Sequence, residues 1–123
     1  MGELFTLANG LKEKEFTLRE AKKLLPIVRR ITTQAAEKVV PLQTRVKEHP
    51  LHSEQDSLCA RQIRQIINRW AEKIRRLGAM PTGLWNVEFH NGNGFYCWEY
   101  PDEEVGFFHK YRKNEEQRTP KAF

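Results

Sequence analysis

The sequence is poor in the residues that mark most recognisable activities. It has two cysteines in 123 residues, Cys59 and Cys97. Small secreted domains held by disulfides need more, so free thiols in a reducing compartment are expected. No Cys-x-x-Cys and no His-x-x-x-His pair occurs, which removes the strong zinc signatures. No glycine-rich loop of the phosphate-cradling kind is present, since Gly92 and Gly94 belong to a hairpin-turn sequence. No run approaches the roughly 20 apolar residues of a membrane span. The opening MGELFTLANGLKEKEF lacks the basic start and continuous apolar core of a signal peptide. A cytoplasmic protein with no membrane partner and no cofactor is the expectation.

What is present is charge, unevenly placed, and helical periodicity. The net charge is +5, but residues 17–53 carry eight Lys/Arg against three acids and residues 54–77 six against three. The remainder is mildly acidic. From Leu18, steps of three and four give Ala21, Leu25, Val28, Thr32, Ala35, Val39, Leu42 and Val46, apolar except for Thr32. This heptad seam predicts a long coiled-coil-like helix that needs a partner laid along it.

Phe16-Thr17-Leu18-Arg19-Glu20 predicts the helix start: Thr17 as cap, Glu20 closing a capping box and Phe16 as hydrophobic staple. Pro26 and Pro41 fall within the pattern, yet the apolar stripe stays in phase, so kinks are expected, with Pro41 the stronger interruption. A turn at His49-Pro50-Leu51-His52 leads to a second helix over 54–77, capped by Ser53 or Asp56. Its seam is Ala60, Ile63, Ile67, Trp70, Ile74 and Leu77, and Gly78 ends it. Two such helices with a short link make an antiparallel hairpin.

After Pro81-Thr82-Gly83 the period changes to two. Leu84–His90, the Asn91-Gly92-Asn93-Gly94 turn and the aromatic run Phe95–Tyr100 predict a β-hairpin, and Val105–His109 a third strand. With Gly92-Asn93 at the tip, Trp85 faces Tyr100, Val87 faces Trp98 and Phe89 faces Tyr96 on one buried side. A tight second turn adds Val105, Phe107 and His109 to that side and leaves Phe95 and Phe108 as the exposed pair. The fold class predicted is α+β, a long antiparallel helical hairpin packed on a three-stranded antiparallel sheet. Residues 1–15 are expected to be a flexible arm, and 16–123 one domain, with the hairpin at 17–77 and the sheet and C-terminal strap at 83–123.

The order Phe16-Thr17-Leu18, Glu20-Ala21, Leu24-Leu25-Pro26, Gly78, Gly83-Leu84, Cys97-Trp98, Asp102, Glu104-Val105, His109, Arg118 and Pro120 resembles an uncharacterised bacterial family, the domain of unknown function numbered twenty-two-oh-three. The likeness spans roughly residues 16–121. It implies a helical hairpin followed by a small sheet, with no activity established for the family. This chain departs from the family pattern at Asn86, where an Asp is usual, at Pro101-Asp102 for Gly-Glu, and at Asn114-Glu115 for Gly-Phe.

Chemistry-bearing residues are few. Cys97, Asp102, His109 and Arg118 form one constellation that could hold a small anionic ligand or, through Cys, His and Asp, a metal. Set against it, a Cys in an aromatic strand is usually a small buried hydrophobe, and the expected pairing points Cys97 and His109 to opposite faces. No catalytic motif is recognised, and a non-enzymatic role is expected. Arg61, Arg64, Arg69, Lys73 and Arg76 offer phosphate contacts for nucleic acid, although a solvated basic face with intermixed Glu is the ordinary state of a helical hairpin. Leu24, Ile27, Ile31, Ala36, Val40 and Ile66 give the hairpin a second apolar flank, which predicts a scaffold or interaction module that self-associates as a homodimer and engages a further protein partner. The plain alternative is that helix one is sandwiched between helix two and the sheet.

Overall fold

The first long helix begins where the sequence places it. The Glu20 amide donates to Thr17 Oγ1 at 3.1 Å and the Thr17 amide donates to Glu20 Oε1 at 3.0 Å, a reciprocal capping box worth about 1 kcal/mol. The computed structural model describes residues 15–48 and 54–111. The expected turn at 49–52, the cap Ser53, the strap with Arg118 and all of the arm but Glu15 lie outside the described residues. Helix α1 spans Leu18–Glu48, 31 residues and about 46 Å long. Pro26 and Pro41 are both exposed, so the Lys22 and Glu37 carbonyls that lose an amide donor lie on outward-facing turns. The helix therefore runs unbroken through both, including Pro41.

Along the seam Ala21, Leu25, Val28, Thr32, Ala35 and Val39 are buried, Leu42 and Val46 are half-buried, and Leu18 at the edge is exposed. Thr32 is the exception with a reason: the indole N–H of Trp70 on the facing helix donates to its Oγ1 at 2.8 Å. Helix α2 spans Glu54–Arg76, which puts Asp56 in its first turn rather than at its cap. Its inward side holds Cys59, Trp70, Ala71 and Ile74. The Gly78 amide bonds the Arg75 carbonyl and the Ala79 amide the Ile74 carbonyl, with Gly78 at φ 93°. These paired bonds close the helix as a Schellman cap, which favours glycine because its left-handed residue needs no Cβ clearance.

The sheet has four strands, not three: β1 (Met80–Gly83), β2 (Asn86–His90), β3 (Gly94–Glu99) and β4 (Phe108–Lys110), antiparallel in that order. Pro81 and Gly83 hide β1 from a sequence reading, yet an edge strand tolerates a proline that has no ladder bond to give. A two-residue turn, Leu84-Trp85, joins β1 to β2. Trp85 takes φ 66° there and lays its ring edge-on to Trp70 at 5.0 Å. The β2–β3 register agrees with expectation, Val87 opposite Trp98 and Phe89 opposite Tyr96. Asn91 Oδ1 accepts the amides of Asn93 and Gly94 at the tip.

The second connection departs from expectation. It is not a tight turn but an irregular loop that leaves β3 through a hydrogen-bonded Glu99–Asp102 turn containing a cis Tyr100-Pro101 bond. Phe108 then pairs with Tyr96 and His109 with Phe95. One residue of register decides the face, so Phe108 packs on Tyr96 at 5.0 Å while His109 goes to the far side. Phe107 is 90% exposed and Val105 alone of the three reaches the core.

The core joins both layers. Phe16, Ala21, Leu25 and Val28 of the α1 end meet Trp70, Ala71 and Ile74 of α2 and Val87, Phe89 and Trp98 of the sheet. Phe16 is also tied by its amide to the His90 carbonyl at 2.8 Å, and its ring meets Phe89 at 5.2 Å. Ala36, Val39 and Cys59 are buried apart from that cluster, in the outer half of the hairpin.

Candidate functional site

Alternation along the strands gives the sheet a second face, turned away from the helices. Glu88, His90, Phe95, Cys97 and His109 share it by register, with Tyr111 two residues beyond His109. His90 is buried there. One ring nitrogen, Nε2, lies 2.8 Å from Glu88 Oε1 and the other meets the Tyr111 hydroxyl. That network is consistent with Nε2–H donating to the carboxylate and Nδ1 accepting the phenol proton. Phe95 lies between the rings of His90 at 5.0 Å and His109 at 5.1 Å.

Cys97 and His109 come together on this face, Sγ to Nε2 at 3.5 Å. This corrects the expectation of opposite faces, and the cause is the β4 register. Burial pushes the Cys97 thiol above its ordinary value of 9.0, and the charges of Glu88, Glu99 and Asp102 push the same way. That direction disfavours the thiolate that a Cys nucleophile requires. The same carboxylates make the surroundings of Cys97 acidic, which suits a cation better than the anionic ligand expected.

Asp102 contributes chiefly backbone. Its carbonyl accepts the Trp98 indole N–H at 2.7 Å, and its side chain is exposed. Arg118 lies outside the described residues. Among the described residues no three His, Cys, Asp or Glu side chains are grouped to hold a metal ion. Arg61, Arg64, Arg69, Lys73 and Arg76 are all exposed on α2. At roughly 100° per residue they fan over about half the helix circumference rather than forming one stripe, and Arg76 already lies 3.7 Å from Glu72. Sequence reasoning missed Glu88, His90 and Tyr111. The signal was available for the first two, which alternate with buried Val87 and Phe89. Nothing in the spacing announced that Tyr111 would close the network.

Asn86 keeps its Oδ1 buried without a hydrogen-bond partner among the described residues. No described helix is long and apolar enough to cross a membrane. No curated protein and no solved structure gives a significant match to the chain. Residues 14–121 match the family described as "Uncharacterized conserved protein (DUF2203)". With nearly the whole chain inside that match, this protein belongs to the DUF2203 family.

Proposed function

We propose that this protein is a non-enzymatic interaction module, a cytoplasmic scaffold or adaptor whose α1–α2 hairpin pairs with that of a second copy. The observation that carries the reading is the uneven cover of the hairpin. Its inner half is roofed by the sheet, whereas in its outer half Val40 is 57% and Leu58 52% exposed, and Leu42, Val46 and Ile63 are only half-buried. An apolar seam that outruns its cover is stabilised by a further helical surface, and a two-fold pairing of hairpins supplies two more helices. The upward push on the Cys97 thiol, which disfavours a thiolate nucleophile, supports the non-enzymatic side of the reading.

The test is sedimentation equilibrium from low to high micromolar concentration. A monomer–dimer equilibrium is expected, weakened about tenfold or more by Val40→Glu with Leu58→Glu, since burying each apolar side chain is worth about 1.5–3 kcal/mol. Both positions are exposed in the single chain, so the variant's circular dichroism should be unchanged. A strict monomer throughout that range would remove the self-association reading.

A further inference from the structure

A groove of about 810 Å³ opens between the first turns of α1 and the β3–β4 connection, far from the outer half of the hairpin and on the helix-facing side of the sheet. Its volume lies within the range of about 300–1,000 Å³ typical of small-molecule sites. Leu25, Tyr96 and Phe108 give it an apolar, largely aromatic floor, and Phe107 stands at its edge 90% exposed. A phenylalanine left in water forgoes the burial that a bound apolar group would supply.

The polar groups divide by wall. The helix side carries Lys22 and Arg29, and the loop side carries Glu103 and Glu104. Among the described residues no ion pair joins these walls, so each keeps its charge for something else.

We propose that this groove binds a short zwitterionic peptide with apolar side chains. Its carboxylate pairs with Arg29 and Lys22, its ammonium pairs with Glu103 and Glu104, and its side chains lie on Tyr96 and Phe108 with Phe107 folding over them. A wholly apolar ligand leaves both charged walls unused. An anion without an ammonium group places charge against Glu103 and Glu104, and a cation without a carboxylate meets Lys22 and Arg29.

The probe is the dipeptide leucyl-phenylalanine, titrated against the whole protein by two-dimensional amide NMR, alongside its N-acetylated and C-amidated forms. Saturable shifts are expected at Leu25, Tyr96, Val105 and Phe108, with each capped form binding about tenfold more weakly, the loss of one charge-assisted bond. Lys22→Gln with Arg29→Gln should abolish the penalty for amidation and keep that for acetylation. Glu103→Gln with Glu104→Gln should do the converse. All four positions are exposed, so folding is not at issue. Absence of saturable shifts at millimolar dipeptide, equal binding of the capped forms, or shifts mapping elsewhere would each overturn the proposal.

Discussion

Thr32 is the one polar residue on an otherwise apolar seam, fully buried and holding the Trp70 indole N–H. Sequence marks the exception, but its partner sits on another helix at a register no periodicity can supply. Thr32→Val keeps the shape and removes the acceptor. It should cost about 1–3 kcal/mol, the desolvation penalty of a buried group deprived of its partner, read as a lower urea midpoint at unchanged slope, while Thr32→Ser retains most of the stability. Cys97 has its own prediction. Its thiol is raised above 9.0 by burial and then by Glu88, so the pH profile of iodoacetamide labelling at Cys97, resolved by peptide mass spectrometry, should have its midpoint above 9.0. Glu88→Gln should lower it only part of the way, because burial is the larger cause. The linked stability has a definite sign: a raised thiol favours the fold fully below the unfolded thiol's range, and that contribution is lost as pH rises through the raised value. A labelling midpoint below 9.0 would contradict this account of the site.

At the scale of elements, both helices were legible because a 3.5-residue repeat over several turns, a capping box and a terminal glycine all point the same way. The sheet was legible only where strands alternate cleanly. β1 carries Pro81 and Gly83 and reads as a break. β4 is three residues long, too short to fix its own register, and its position is set by a neighbour's shape. At Gly94 an added Cβ would stand 2.2 Å from the His109 carbonyl oxygen and 2.6 Å from the Phe108 ring. Only glycine lets β4 approach so closely, and that approach is what brings His109 to Cys97. Gly94→Ala should therefore detach β4 before it unfolds the helices. Hydrogen exchange should speed up at Phe108–Lys110 and Tyr111, whose amide bonds the Asn93 carbonyl, with α1 and α2 nearly unchanged. Equal acceleration in the helices would mean that the sheet edge and the hairpin unfold as one unit.

Over the whole molecule, composition and periodicity were enough to predict a hairpin roofing a sheet, because burial of one apolar stripe and one aromatic face leaves few arrangements. The candidate site was not readable in the same way. Cys97 and His109 meet through a loop whose path depends on the Glu99–Asp102 turn and on Gly106, whose amide bonds the Cys97 carbonyl at 2.6 Å, and such irregular backbone leaves no period in the sequence. Self-association adds a prediction at this scale. If copies pair through the outer hairpin, the melting temperature should rise with protein concentration, as mass action requires when only the folded chain dimerises, and over the same concentrations the Val40→Glu, Leu58→Glu variant should show a much smaller rise.

Phe16 and His90 are far apart in chain order, yet a backbone bond and a ring contact at Phe89 fasten them together. A ribosome delivers α1 and α2 well before β2 and β3 emerge. During that interval Val28, Trp70 and Ile74 lack the cover of the sheet, and the start of α1 lacks its contacts with His90 and Phe89. The two central strands thus decide when the start of α1 stops fraying.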